Sequence, residues 1–164
     1  MLRAGQRVAD LGCWPGSWLQ VAAQAVGPSG RVVGVDLAEV EPLLDLAHVV
    51  TLRADLAEPS TPAAIVEALG GQAAVLLCDA APKLTGVRAT DRAREETLLE
   101  AVDALLPRIL APGGDLLRKL LEGPEAQAIG KRIGARFARS RTLRPEATRK
   151  GSSEKYMLAR GRTA

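Results

Sequence analysis

The chain has 164 residues, of which 47% are hydrophobic and 25% are charged, and its formal net charge is +3. This composition is typical of a folded globular protein, and the length suits one domain whose core needs no disulfide or metal. No apolar run reaches the ~18 residues of a membrane span, and the first predicted strand leaves no room for a signal peptide, so we expect a cytoplasmic protein.

Apolar segments alternate with helical patterns along the whole chain, which predicts βαβ units and a largely parallel sheet. The predicted strands lie at 7–11, 31–36, 49–53, 73–78, 115–121, 139–144 and 154–160. The predicted helices lie at 17–26, 39–46, 61–69, 91–110 and 124–137. We therefore expect an α/β fold with a seven-stranded, mostly parallel sheet, helices on both faces, and a single domain over 1–164.

The first predicted strand runs into the segment DLGCWPGSW at residues 10–18, which opens the first helix. Glycines let a backbone approach a ligand closely, and the start of a helix offers unpaired N–H groups. Asp36, 20 residues beyond Gly16, closes the second strand, where a carboxylate can hold both hydroxyls of a ribose. The glycines run Gly12-x-x-x-Gly16, without the G-x-G-x-x-G of a dinucleotide site. The pattern therefore favours S-adenosylmethionine over a nicotinamide cofactor.

Carboxylates follow four consecutive predicted strands, namely Asp10, Asp36, Asp55 and Asp79. In an open parallel sheet, ligands bind at the carboxyl ends of the strands, near the point where the strand order reverses. We therefore expect these four side chains to line one cleft.

The fifth strand contains the basic pair Arg118 and Lys119 within an apolar segment. A buried cation is costly unless it is paired, so we expect one of the two to point into the site. Glu154 opens the last strand as a further acid. Structural roles stay open for each, because Asp79 could cap a turn, Lys119 could reach solvent at a strand edge, and Glu154 could simply be exposed.

The two cysteines, Cys13 and Cys78, lie in or beside apolar strands and are interpreted as small buried hydrophobic residues rather than a redox pair. His48 is the single histidine, which is too few for a His/Cys zinc cluster. No metal site is expected.

Positive charge is concentrated at the end of the chain. Residues 131–164 hold eleven Lys and Arg against two acids, a net charge of +9, so the first 130 residues are net acidic. This asymmetry favours a polyanionic partner, although a solvated basic face is the alternative. Trp14, Trp18, Phe137 and Tyr156 are the only Phe, Trp or Tyr residues. Phosphate contacts are therefore expected to dominate over base stacking.

Taken together, the motifs resemble the FtsJ/RrmJ family of RNA ribose 2′-O-methyltransferases, most closely its RlmE members. The matching segments are Asp10-Leu11-Gly12, Pro15-Gly16-x-Trp18, Cys78-Asp79-Ala80-Ala81-Pro82, Leu110-Ala111-Pro112-Gly113-Gly114, Lys119 and Ser153-Glu154-x-Tyr156. The resemblance covers most of the chain. It implies a Rossmann-like class I methyltransferase fold, S-adenosylmethionine as cofactor, and a uridine 2′-hydroxyl of 23S rRNA in the large ribosomal subunit as the methyl acceptor.

Family members carry a Lys-Asp-Lys-Glu tetrad, and Asp79, Lys119 and Glu154 match its last three positions. The implied cofactor-binding residues are Gly12, Pro15, Gly16, Trp18, Asp36, Asp55 and Asp79. Neighbouring carboxylates favour the protonated form of Lys119, which conflicts with a role as a neutral base. We therefore expect Lys119 to position the hydroxyl and to stabilise developing alkoxide charge.

The resemblance departs at the front of the chain. The family's first tetrad lysine lies on a helix before the first strand, whereas no lysine precedes Lys83 here. We therefore expect this sequence to lack that helix, and activity does not follow from the motifs alone. Three alternatives stay open: an RNA-binding or ribosome-assembly factor that keeps the cofactor pocket, a methyltransferase for another RNA or a small molecule, and a nicotinamide oxidoreductase.

The expected partner is ribosomal RNA or the large subunit, bound through 131–162 by a monomer without membrane contact.

Overall fold

The computed structural model describes residues 1–40, 46–83, 85–120, 123–144 and 155–164. These residues form seven strands and four helices. In chain order they are β1 (Arg7–Leu11), α1 (Ser17–Val26), β2 (Arg31–Asp36), β3 (Val49–Arg53), α2 (Thr61–Leu69), β4 (Ala73–Cys78), α3 (Arg88–Ile109), β5 (Leu110–Leu120), α4 (Pro124–Gly134), β6 (Phe137–Leu143) and β7 (Lys155–Arg162).

All seven strands belong to one sheet in the order β3-β2-β1-β4-β5-β7-β6. The first five strands in this order pair in parallel, and β7 is antiparallel to both β5 and β6. The chain crosses from β3 back to β4, so the strand order reverses beside β1. The carboxyl ends of β1 and β4 therefore flank the crevice where such sheets bind ligands. The predicted α/β fold with a mostly parallel seven-stranded sheet is confirmed.

Helices cover both faces of the sheet, as predicted. On one face, α1 buries Leu19, Ala22 and Val26 against Val8 and Val32 of the first two strands. On the other face, α2, α3 and α4 pack over a larger apolar core. Because side chains alternate along a strand, the residues of β1 divide between these two cores. Among the described residues, no helix is both long enough and apolar enough to cross a bilayer.

Several element boundaries differ from the predictions. Helix α3 begins at Arg88 rather than 91, and α4 ends at Gly134 rather than 137, since Phe137 already belongs to β6 and is buried in the larger core. Strand β5 begins at Leu110 rather than 115 because Leu110 pairs with Ala73, and a register shift in β4 accommodates the intervening residues.

The remaining differences concern the predicted helix 39–46 and the last strand. Most of the predicted helix 39–46 falls on 41–45, outside the described residues, and Glu39, Val40 and Leu46 are not helical. The last strand runs to Arg162 rather than 160, because Arg162 pairs with Phe137 of β6. Glu154, its predicted first residue, lies outside the described residues.

Candidate functional site

A cavity of about 700 Å³ lies at the carboxyl ends of the parallel strands. Asp36, Asp55 and Asp79, which lie at or just beyond the ends of β2, β3 and β4, all line it. The structure thus brings together three of the four carboxylates that the sequence places at strand ends. The prediction that Asp10 also lines the cleft is wrong: Asp10 is fully buried. It lies on the face of β1 that α1 covers, behind the wall of the cavity rather than on it.

Gly12 forms the wall of the cavity between β1 and β4. Its φ of 76° is in the left-handed region, and its N–H donates to the carbonyl oxygen of Val35 at 2.8 Å. A Cβ atom at this position would lie 2.4 Å from the Cα of Ala80. Two backbone segments therefore meet here at a distance that only glycine permits.

Backbone N–H groups hold two of the cavity carboxylates in place. Asp36 accepts hydrogen bonds from the N–H of Trp14 at 3.0 Å and of Ala38 at 2.9 Å. Asp55 accepts one from the N–H of Ala57 at 2.9 Å. Such bonds restrict the rotation of the carboxyl group. Both groups can therefore serve as fixed acceptors for hydroxyl or amino donors of a ligand.

Lys119 and Asp79 form an ion pair beside the cavity, with 3.7 Å between Nζ and Oδ1. The pair follows from strand register, because Cys78 of β4 lies opposite Arg118 of β5 and the next residues lie side by side. Their side chains are 22% and 33% exposed, so a substrate can reach both. Glu154, the third predicted catalytic residue, lies outside the described residues and stays a prediction.

Arg118 points to the opposite face of the sheet from Lys119 and is only 1% exposed. Within the described part of the chain, none of its guanidinium nitrogens has a hydrogen-bond partner. Burial lowers the pKa of Arg118, and the nearby Cys78 and Asp103 oppose that shift. Lys119 is therefore the member of the basic pair that the site can use.

Three residues predicted to contact the cofactor, Pro15, Gly16 and Trp18, are not among the residues that line the cavity. Gly16 caps α1 with a φ of 109°. Trp18 packs on Tyr156 of β7, with ring centroids 5.7 Å apart, and Tyr156 lies opposite Lys119 in the sheet. Trp18 thus supports the strand beside the ion pair, and its contact with the cofactor stays a prediction.

The sequence prediction missed Trp14, which lines the cavity and is 61% exposed. The position of Trp14 between Gly12 and Gly16 could have indicated this, since Gly12 forms part of the cavity wall. A large aromatic side chain with so much free surface at the cavity can cover a bound ligand.

The buried acid Asp10 and the two thiols have strongly perturbed pKa values. Burial, together with the negative charges of Asp79 and Asp36, raises the pKa of Asp10 from 3.8 to about 7. Burial likewise raises the pKa of Cys13 to about 12 and of Cys78 to about 11. Both cysteines are free thiols and buried, as predicted for small hydrophobic residues. The described residues contain no group of three or more His, Cys, Asp or Glu able to hold a metal ion.

Only part of the basic C-terminal segment is available to a partner. Arg132 and Arg136 both bind the buried carboxylate of Asp103, at 2.7 Å and 3.0 Å, and so join α4 to α3. Arg139 and Arg141 of the edge strand β6 are exposed. Their register with β7 places both on the face of the sheet that carries Lys119.

Comparison with known proteins identifies relatives over nearly the whole chain. Ribosomal RNA large subunit methyltransferase E of Halorubrum lacusprofundi is 42% identical over 162 residues, which are 98% of this chain and 60% of that protein. The protein of the same name from Natronomonas pharaonis is 41% identical over 162 residues, which are 99% of this chain and 63% of that protein. The chain therefore spans about three fifths of the length of these relatives.

A solved structure shows the same fold. The crystal structure of a Plasmodium falciparum protein described as a ribosomal RNA methyltransferase superposes with a TM-score of 0.81 at 19% identity, covering 100% of this chain and 90% of that one. At this identity the likeness shows the fold alone, and it confirms the predicted Rossmann-like methyltransferase architecture.

The model of the family described as FtsJ-like methyltransferase matches residues 1–162. Because this match extends over almost the entire chain, the protein belongs to the FtsJ-like methyltransferase family.

Proposed function

We propose that the protein is an S-adenosylmethionine-dependent RNA methyltransferase that modifies a ribose 2′-hydroxyl. The proposed acceptor is a uridine of 23S rRNA in the large ribosomal subunit, modified in the cytoplasm by a single methyltransferase domain over 1–164. The observation that carries this proposal is the ion pair between Lys119 and Asp79 beside a carboxylate-lined cavity. The names of the relatives, which are large-subunit ribosomal RNA methyltransferases, support the choice of substrate.

The cavity suits the proposed cofactor in size and in its donor set. Its volume falls within the ~300–1,000 Å³ of typical small-molecule sites. Gly12 leaves room where a side chain would collide with Ala80. Asp36 would accept hydrogen bonds from the ribose hydroxyls, and Asp55 would contact the adenine. Pro15, Gly16 and Trp18 remain proposed contacts through the glycine turn and the start of α1.

When bound, the cofactor would supply a methyl group bonded to a positively charged sulfur; the transfer would break that bond, form an oxygen–methyl bond and release the hydroxyl proton to water. Asp79 stabilises the ammonium form of Lys119, because opposite charges lie 3.7 Å apart. Lys119 would then donate a hydrogen bond to the 2′-oxygen and stabilise its negative charge as the proton leaves. Asp79 would also fix the direction of the ammonium group, and Glu154 would complete the network. Correct alignment of the reactants can contribute ~7–11 kcal/mol to the rate.

An RNA backbone would bind the basic part of the sheet next to this pair. Arg139 of β6 lies directly opposite Arg160 of β7, a cross-strand pair of like charges that is unfavourable by itself. Phosphate groups would relieve this repulsion. Arg141 lies two residues nearer the row of Lys119, so the same strand of RNA would pass the ion pair. This arrangement supports ribosomal RNA or the large subunit as the partner of 131–162.

Transfer of a labelled methyl group from S-adenosylmethionine to large ribosomal subunits that lack the modification tests the proposal. Alkali-resistant linkages would identify 2′-O-methylation. We expect Lys119→Ala to lose transfer at least a hundredfold and to keep its affinity for the cofactor by calorimetry.

Arg7→Ala is the matched control, because it removes an exposed cation at the start of β1, the opposite end of the strand from the cavity. Its activity should equal that of the parent chain. Full activity of Lys119→Ala would contradict the assigned role. Cofactor binding without transfer by the parent chain would favour the RNA-binding or assembly factor.

A further inference from the structure

The carboxyl group of Asp10 is fully buried at the end of β1, and within the described residues neither of its oxygens has a hydrogen-bond partner. Burying a polar group without a partner costs free energy, and burying it as an anion costs much more. Asp10 therefore carries a cost that a role in the site could explain.

The groups around Asp10 are acids and thiols rather than cations. Its strand neighbours are Gly34 of β2 and Leu77 of β4, neither of which ionises. Helix α1, which packs over this face, has the sequence SWLQVAAQAV and contains no ionisable side chain. The ionisable groups that act on Asp10 or are acted on by it are Asp36, Asp79, Cys13 and Cys78. The cation that β5 contributes to this side, Lys119, is in an ion pair with Asp79.

Among the residues described, Asp10 therefore has two neighbouring carboxyl groups, one of them paired with Lys119, whereas Lys83 and Arg94, which also line the cavity, are not among the groups that act on Asp10. Such an arrangement favours either a proton or a bound cation. Around neutral pH a large fraction of Asp10 is protonated, because burial and the two neighbouring carboxylates raise its pKa to about 7. A positive charge brought into the cavity lowers the pKa of Asp10 and favours its ionised form.

We propose that Asp10 discriminates the cationic methyl donor from its uncharged thioether product by releasing its proton to solvent when the donor binds. This inference rests on the proposed function of the cavity. Donor and product differ by one methyl group and one positive charge, and they share their other functional groups. When the methyl group leaves, the charge leaves with it and Asp10 takes up a proton again. Since linkage is reciprocal, the ionised carboxylate favours the donor and the protonated carboxyl group disfavours it relative to the product.

Calorimetric titration of the protein with S-adenosylmethionine and with S-adenosylhomocysteine tests this inference. Titrations in two buffers of different ionisation enthalpy at pH 7 give the number of protons released. We expect about half a proton per donor bound and close to none per product bound, since Asp10 is half-protonated at that pH. Donor affinity should rise about tenfold from pH 6 to pH 8 relative to the affinity of Asp10→Asn over the same range. The variant is the reference because the ligand's own amine also titrates and changes the affinity of both proteins.

In Asp10→Asn the excess proton release should vanish, and the preference for donor over product should shrink about tenfold. Asp115→Asn makes the same chemical change at a partly buried acid of β5 that does not line the cavity, and it should behave like the parent chain. Donor binding without proton release in the parent chain would overturn the role of Asp10 alone, even if Asp10→Asn failed to fold. Failure of the parent chain to bind either ligand would overturn the proposed function, and this inference with it.

Discussion

Replacing Asp10 by Asn should stabilise the fold, and the size of the effect should depend on pH. The pKa of Asp10 rises from 3.8 to about 7 in the folded state. Below pH 3.8 the carboxyl group is protonated in both the folded and the unfolded chain and costs nothing. Between pH 3.8 and 7 the unfolded chain loses this proton first, so the free energy of unfolding falls as pH rises. Above pH 7 the loss is complete.

The magnitude follows from the shift. About three pKa units correspond to about 4 kcal/mol at 1.36 kcal/mol each. The amide of Asn resembles the protonated acid, so the variant does not lose this stability. At pH 8 we expect Asp10→Asn to exceed the parent chain by about 4 kcal/mol in its free energy of unfolding. At pH 5 the excess should be only about 1.5 kcal/mol, because only the interval from pH 3.8 to pH 5 has contributed to it.

Urea denaturation of both chains at pH 5 and pH 8, followed by circular dichroism, measures this difference. Glu67→Gln is the control, because it makes the same acid-to-amide change at an exposed position of α2. Its effect should stay within about 0.5 kcal/mol at both pH values. A stability difference for Asp10→Asn that does not change with pH would refute the reasoning, since it would mean that Asp10 has the same affinity for a proton in both states.

Two further predictions concern the core and the glycine turn. Arg118→Met should raise the free energy of unfolding by about 1–3 kcal/mol. It replaces a buried guanidinium, which has no hydrogen-bond partner among the described residues, by an apolar side chain. Thermal unfolding measures this change, and Arg92→Met on the exposed side of α3 is the control. A destabilised Arg118→Met would show that the guanidinium is well solvated in place. Gly12→Ala and Gly70→Ala both place Ala at a positive φ, 76° and 69°, but only the first brings a Cβ against the backbone of Ala80. Gly70→Ala should lower the free energy of unfolding by about 1 kcal/mol, and Gly12→Ala should lower it by at least about twice that amount. Gly12→Ala should also lose affinity for the cofactor. Equal losses of stability in denaturation experiments would contradict the close approach of Gly12 to Ala80.

The features that the sequence predicted correctly depend on local patterns. Strand periodicity located β1 to β4, and the rule for the carboxyl ends of parallel strands then brought Asp36, Asp55 and Asp79 together. The features that it missed depend on contacts between distant segments. Whether Lys119 or its neighbour faces the site depends on how β5 pairs with β4.

Long-range packing also explains the other differences. Asp10 is buried because α1 covers its face of β1, which the position of a residue at a strand end does not reveal. The early start of β5 depends on the pairing of Leu110 with Ala73. The bonds of Arg132 and Arg136 to Asp103 join residues 29 and 33 positions apart, so net charge alone overstated the basic surface.

The contact between Trp18 and Tyr156 gives the protein a built-in optical reporter. Tyr156 is the single tyrosine of the sequence, and Trp18 and Trp14 are its two tryptophans. With ring centroids 5.7 Å apart, excitation of Tyr156 passes almost completely to Trp18, so a loss of this energy transfer would report that α1 and β7 had separated. Trp14, exposed at the cavity, is open to a soluble quencher that a ligand would exclude. One unlabelled sample thus reports separately on the ligand cavity and on the strand that lies beside Lys119.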